Sequence, residues 1–305
     1  MLWNHKFNVK TFKQIMEERS TPPTPIIDDG ILLEESLLLI SAEKKVGKSM
    51  LGYNIAIAIS EGINFAFFKV PKPRSVLYMT AEGGQYPNEE RIRKMGDCKN
   101  FSNENLTVVF NPKTLFDDEE KLEEFKALLD DVQPEVVIVD PLIRFHQQDE
   151  NSSSGMTKIF GILRALMEEY SFALIIIHHL GKDGSRLARG SSAILGEYDS
   201  SIVLSKNIRS KRITCTFDMR HVRTQEDKTL HFDEDTFWFE DENGVSPSKF
   251  REVLLETGPI SRSELCKIAT SKKMYFDESN AIRRIKSEVK QNILKENADG
   301  LIVLN

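Results

Sequence analysis

The 305-residue chain has no apolar stretch approaching the ~20 residues of a membrane span, and its N-terminus lacks the basic, apolar and small-residue pattern of a signal peptide. A membrane partner is therefore not expected, and the predicted location is cytoplasmic. Cysteine is scarce. Cys98, Cys215 and Cys266 lie far apart without a C-x-x-C pair, which argues against a disulfide framework or a zinc site and for thiols in a reducing compartment. A basic balance is missing too: the net charge is −6, so the protein is not coated in positive surface. Residues 246–305 nevertheless carry 11 Lys/Arg against 8 Asp/Glu, and the negative excess lies in residues 1–245. Nucleic-acid contact, if present, must come from local basic loops or from this C-terminal segment. No internal repeat is visible. Hydrophobic content of 40% and charged content of 29% describe a globular chain with room for one large α/β domain and a small one.

The most informative stretch is Ser36-Leu-Leu-Leu-Ile-Ser-Ala-Glu-Lys-Lys-Val-Gly-Lys-Ser-Met50, an apolar strand running into Ala-x-x-x-x-Gly-Lys-Ser. A tight strand-to-helix turn aims backbone N–H groups at nucleotide phosphates. Residues Ala42, Glu43, Lys44, Lys45, Val46, Gly47, Lys48, Ser49 and Met50 form this predicted P-loop. Lys48 supplies charge at the β- and γ-phosphates, and Ser49 a hydroxyl for Mg²⁺. Ala42 replaces the usual first glycine, which normally eases the turn.

Residues 1–35 read as an entry arm: a short helix over Phe12–Glu18, then the proline-stiffened linker Ser20-Thr-Pro-Pro-Thr-Pro25. Strand signals follow at Leu37–Ser41, Ser75–Ala81, Leu106–Phe110, Glu135–Asp140 and Ala173–His178. They alternate with helical patterns at Lys48–Ser60, Asn88–Met95, Glu119–Asp131 and Met156–Tyr170. Near-continuous Val, Ile and Leu runs predict a mostly parallel sheet covered by helices on both faces. Ser201–Ser205, Arg212–Met219 and Thr229–Phe239 have shorter links and predict antiparallel strands extending it. The polar segments Gln147–Gly155 and Gly181–Ser192 follow core strands, where ligand sites of open α/β sheets lie; they read equally as surface loops.

From Ser246 the pattern changes. Helices are predicted at Pro247–Glu256, Ser261–Lys272 and Asp277–Gln291, with Ser261 and Asp277 as N-caps, then a hairpin over Asn292–Leu304 turned at Asp299-Gly300. This is the order of a winged helix-turn-helix, whose third helix carries Asn280, Arg283, Arg284, Ser287 and Lys290. A small helical cap or oligomerisation module is the other reading. The expected organisation is thus an arm over 1–35, an ATPase domain over 36–245 and a winged-helix-like domain over 246–305.

Four strand ends offer chemistry. Asp140, 92 residues after Lys48, ends an apolar strand where an acid beside the P-loop hydroxyl holds Mg²⁺. Glu82 follows Ser75–Ala81 and has the chemistry to orient or deprotonate an attacking water, or to serve only as a helix-capping acid. His178 and His179 end Ala173–His179; adjacent strand residues point to opposite faces, so one faces the nucleotide. Arg220 and Arg223 end a late strand, and an arginine delivered to a neighbouring subunit would stabilise transition-state charge; both also read as solvent-facing. Arg189 is a third candidate, although its loop suits DNA contact better, as do Lys182 and Arg186 in the same segment.

The order P-loop, strand-end Glu82, strand-end Asp140, His178-His-Leu-Gly-Lys182 and Arg189-Gly-Ser-Ser192 resembles the RecA-like ATPases of the AAA_25 kind, which include plasmid RepA-type hexameric replicative helicases and are related to DnaB-like helicases. The resemblance covers roughly residues 20–240. It implies ATP on Gly47, Lys48 and Ser49, Mg²⁺ held by Ser49 and Asp140, Glu82 as the catalytic carboxylate, and His178 or His179 as γ-phosphate sensor. Arg220 matches the arginine of the late-strand K-x-R element, with Asp218 in the lysine position. A hexameric ring with shared ATP sites and a channel lined by loops such as Gly181–Ser192 is implied as well. The leading expectation is an ATP-hydrolysing motor on single-stranded DNA, a replicative helicase of a plasmid, phage or other mobile element. A regulatory or recombination-mediator ATPase that binds DNA without unwinding it is the alternative. A pseudo-ATPase scaffold, suggested by Ala42 alone, is the third.

Overall fold

The structure is a computed structural model that describes residues 9–19, 21–99, 101, 103–180, 192–206, 212–241, 250–272, 278–290 and 294–304. Helix α1 (Phe12–Glu17) is capped by Thr11 and Gln14 in a reciprocal capping box and buries none of its residues. The hairpin of β1 (Pro25–Ile27) and β2 (Leu32–Leu33) follows. Alternating units come next: β3 (Leu37–Ala42), α2 (Lys48–Glu61), β4 (Val76–Thr80), α3 (Gln85–Asp97), β5 (Leu106–Phe110), α4 (Glu119–Val132), β6 (Val136–Asp140), α5 (Ser153–Tyr170) and β7 (Ala173–His179). Helix α6 (Ser192–Glu197) leads into β8 (Ser200–Lys206), β9 (Ile213–Met219), β10 (Lys228–Phe232) and β11 (Phe239–Asp241).

Among the described residues these strands form one sheet in the order β11-β10-β9-β8-β3-β7-β6-β4-β5. The six strands from β8 to β5 in that order are parallel, and β9, β10 and β11 continue it antiparallel. The expected mixed sheet is therefore present, with one correction. The run Ser201–Ser205 belongs to a strand that is parallel to β3 and antiparallel only to β9, because α6 precedes it and permits a crossover. A second correction concerns Thr229–Phe239, which is two strands joined by a turn: Phe237 N–H donates to the Asp233 carbonyl, and Asp233 N–H to that of Trp238. Helix α5 starts earlier than expected, at Ser153, because the Ser152 hydroxyl accepts from Gly155 N–H.

Alternation along the strands splits the core into two layers. Leu38, Ile40, Tyr78, Ile138, Ile175 and Ile177 face α2, whereas Leu37, Leu39, Leu77, Val139, Leu174 and Ile176 face α4 and α5. Helix α2 is buried on nearly every side, so its apolar residues form no single stripe. Ile26, Ile27, Ile31 and Leu32 pack into the α2-side layer, so the core begins near Pro25 rather than at residue 36.

The C-terminal segment has its own apolar cluster, built around Phe250, Leu265, Ile285, Leu294 and Ile302. It contains α7 (Arg251–Thr257), β12 (Ile260–Ser261), α8 (Arg262–Ser271), α9 (Glu278–Lys290), β13 (Leu294–Glu296) and β14 (Leu301–Leu304), with β14 central in a three-stranded sheet. The Ser261 hydroxyl accepts from Glu264 N–H and caps α8. The expected cap Asp277 lies outside the described residues. No helix among the described residues is long and apolar enough to cross a membrane.

Candidate nucleotide site

Sequence parity and strand register together assemble the site at the C-terminal edge of the parallel strands. Ala42 on β3 pairs in register with His179 on β7, and Thr80 on β4 with Asp140 on β6. Ala42, Thr80, Asp140 and His179 each lie an even number of residues from core positions that face α2, the helix that the P-loop starts. The loop reaches α2 through Gly47, whose φ of 110° is the left-handed backbone that glycine tolerates. Ala42 has no such demand. It is the last residue of β3, fully buried in extended backbone, so the missing first glycine costs the turn nothing here.

Lys48 is 6% exposed, and its ammonium donates to the carbonyls of Ala42 at 3.0 Å and Glu43 at 2.9 Å. Burial pushes its pKa down to about 8, against the pull of Asp140 and Glu82. Asp140 is 3% exposed. Burial raises its carboxyl above the ordinary carboxylate range, opposed by hydrogen bonds from the Tyr78 and Ser49 hydroxyls. Tyr78 donates to Asp140 Oδ2 at 2.7 Å. Burial pushes the phenol well above its usual pKa, so it stays a donor. Ser49 and Asp140 thus form a pair of hard oxygen donors beside the phosphate lysine. Mg²⁺ takes such a set, completed by phosphate and water oxygens, and the residues fit it.

Glu82 stands at the open side. Its Oε1 accepts from Arg144 Nε at 3.2 Å, and Oε2 lies 3.9 Å from His179 Nε2. Burial, followed by the Lys48 charge, lowers the His179 pKa and favours a neutral ring at pH 7. His178 points into the other layer, where its Nδ1 lies 3.4 Å from Glu150. The structure therefore brings Lys48, Ser49, Glu82, Asp140 and His179 together and leaves His178 on the far face of the sheet. Arg144 and Tyr78 were not singled out in the sequence. A cation four residues after the strand-end acid was the available signal for Arg144; nothing marked Tyr78.

Arg220 is elsewhere. Because β9 runs antiparallel to β8, with Ser200 opposite Met219, Arg220 sits at the opposite edge of the sheet, donating to Gly196 O at 2.7 Å. Seven strand residues span about 20 Å, beyond the reach of an arginine to its own P-loop. Asp218, in the lysine position of the motif, accepts from the Tyr198 hydroxyl at 2.7 Å. Lys182, Arg186 and Arg189 lie outside the described residues. Arg283, Arg284 and Lys290 lie on α9, and their side chains are outside the described set.

A parallel sheet flanked by helices, with a P-loop, an Mg²⁺-type acid and a strand-end glutamate at one edge, defines a RecA-like P-loop ATPase core. The chain matches the AAA_25 family, an AAA domain, over residues 5–185, and it belongs to that family. Among solved structures it is similar to the ATPase domain of a helicase, with 13% identity, a TM-score of 0.53, and 68% of this chain and 85% of that chain covered. It is also similar to the KaiC-like protein PH0186 from Pyrococcus horikoshii OT3, with 12% identity, a TM-score of 0.53, and 71% of this chain and 93% of that one covered. At these identities the likeness is one of fold. No curated protein matches the chain.

Proposed function

We propose that the protein is an Mg²⁺-dependent ATPase that works as a homo-oligomeric ring, most simply a hexamer, and moves along single-stranded DNA as a replicative helicase of a plasmid, phage or other mobile element. The observation that carries this reading is the convergence of Lys48, Ser49, Asp140, Glu82 and His179 on one sheet edge. Lys48 exchanges its two loop carbonyls for phosphate oxygens. Ser49 and Asp140 hold Mg²⁺, which neutralises charge developing on the transferred phosphoryl group. Glu82, held by Arg144, orients the attacking water and accepts its proton. His179, the neutral ring of the histidine pair, contacts the γ-phosphate and passes its presence to the segment that follows β7.

Arg220 acts in trans in this reading. Its distance from its own P-loop is what an arginine serving a neighbouring subunit requires, and Arg223 and Arg189 are its replacements if it does not. The C-terminal segment, with its separate core and helix–helix–helix–hairpin order, is read as a winged helix that contacts DNA or a partner through α9 and Arg283, Arg284 and Lys290. The regulatory alternative, an ATPase that assembles on DNA without unwinding it, is favoured by the acidic balance of residues 1–245.

Hydrolysis measured with and without single-stranded DNA across protein concentration, with mass determined in parallel, tests the proposal. Steep concentration dependence and DNA stimulation are expected. Flat turnover from a monomer would overturn the ring. Strand displacement on a forked duplex separates the helicase from the regulator. Arg220→Ala is expected to keep ATP binding and to lower assembled-state turnover by about 10³-fold. Wild-type turnover in that variant would transfer the role to Arg223 or Arg189.

A further inference from the structure

The carboxylate proposed to hold Mg²⁺ is itself held by a side chain on a different strand. Tyr78 lies on β4 opposite Ile138 of β6, so Asp140 is its diagonal neighbour two residues further along and on the same face. The phenol is fully buried, and its hydroxyl meets Asp140 Oδ2 at 2.7 Å. Helix α2 closes the space behind it. A Cβ on Gly52 would stand 2.6 Å from the Tyr78 hydroxyl and 2.6 Å from Ile177 Cδ1, so only glycine lets the phenol reach the acid at this point. The ring is held from the side by Tyr53, centroid to centroid 4.7 Å. Ser49, Gly52 and Tyr53 are three and four residues apart on α2 and therefore share one face. The same helical face thus supplies the P-loop hydroxyl, the gap for the phenol and the ring that stops it from swinging.

We propose that Tyr78 is the positioning residue of the metal site: it fixes the Asp140 carboxylate in the orientation that receives Mg²⁺ before nucleotide arrives. This rests on the P-loop reading above. Without the phenol, Asp140 keeps the Ser49 hydroxyl but loses its anchor on β4, and the carboxylate must be oriented when the metal binds. The consequence falls on the metal and spares the nucleotide, because the phosphate contacts come from the loop and from Lys48. Outer-shell partners of metal ligands typically change metal affinity by about 10–100-fold.

The experiment is Tyr78→Phe in the full chain, read by binding of a fluorescent ADP analogue without Mg²⁺ and then across an Mg²⁺ titration. Affinity without Mg²⁺ is expected to stay within about 2-fold of wild type, while the Mg²⁺ concentration giving half of the metal-dependent response rises about 10-fold. Tyr53→Phe is the packing control, since it removes the neighbouring hydroxyl, 3.4 Å from Thr80 Oγ1, and keeps both rings. It should titrate like wild type. An unshifted Mg²⁺ titration in Tyr78→Phe overturns the proposal, as does an equal shift in Tyr53→Phe or a loss of metal-free binding in Tyr78→Phe alone. If wild type binds no nucleotide with or without Mg²⁺, the P-loop reading itself falls.

Discussion

The two edges of the central sheet handle charge in opposite ways. At the N-terminal edge, charges are tied down. Arg74, 3% exposed in its side chain, reaches Glu34 and Glu135 at 2.8 Å each. Asp199 accepts from Leu37 N–H at 2.8 Å and from Arg164 at 3.0 Å, and lies 3.2 Å from His221. Those hydrogen bonds, led by Leu37 and Arg164, hold the Asp199 carboxyl below its usual pKa although burial alone would raise it. At the C-terminal edge, burial dominates: it raises Asp140 and lowers Lys48 and His179. One edge has its ionic groups paired within the fold; the other keeps lysine and acids close but short of mutual neutralisation. Unsatisfied charge costs stability, and it is tolerated where a charged ligand completes it.

Substitutions at each edge should separate activity from stability. The largest effect is expected from Lys48→Ala, which should lower hydrolysis by about 10²–10³-fold or more while leaving the urea midpoint unchanged or raised. Wild-type turnover in that variant would remove the P-loop assignment. Arg74→Met should do the reverse. It is expected to cost about 1–3 kcal/mol of stability, the lower part of the range for buried pairs because both acid partners are well exposed, and to change turnover per folded molecule by less than about 2-fold. Equal loss of activity and stability in either variant would erase the distinction between the edges.

The smallest expected effect concerns His146, which is 6% exposed in the layer facing α5 and belongs to neither edge. Burial lowers its pKa, opposed by the Asp117 charge. The unfolded chain therefore takes up a proton at higher pH than the folded chain. The contribution to stability is complete above the ordinary histidine value of 6.5 and is lost as pH falls from there through the lowered folded value. His146→Leu is expected to flatten the decline of the urea midpoint between neutral and mildly acidic pH. An unchanged slope would mean that other groups set the acid sensitivity.

Much of this was legible in the chain. Lys48 and Ser49 are marked by a local motif, and Asp140 and Glu82 by strand ends, because in these cases the chemistry and the turn that presents it are neighbours in sequence. Continuous apolar runs revealed the parallel strands for the same reason: burial on both faces shows in every residue. The direction of β8 was not legible, since a strand's own residues are the same whether its neighbour runs up or down. The break in Thr229–Phe239 was missed because the β10–β11 turn keeps two aromatic residues, Phe237 and Trp238, that pack on α3 and read as strand.

By itself the sequence determined that this chain has a phosphate-binding loop on a mostly parallel α/β sheet and a separate C-terminal helical segment. It narrowed the sensor to two adjacent histidines and the trans cation to a few arginines. Which histidine faces the nucleotide was a tertiary decision: alternation says only that the two differ, and the packing of α2 says which face is which. The role of Tyr78 was decided there as well. Its partner Asp140 is 62 residues away in sequence, and the contact exists only because β4 and β6 are hydrogen-bonded neighbours and Gly52 leaves the phenol room. Local turns and periodicities are encoded by residues beside one another; register and close approach arise between segments that meet only in the folded chain.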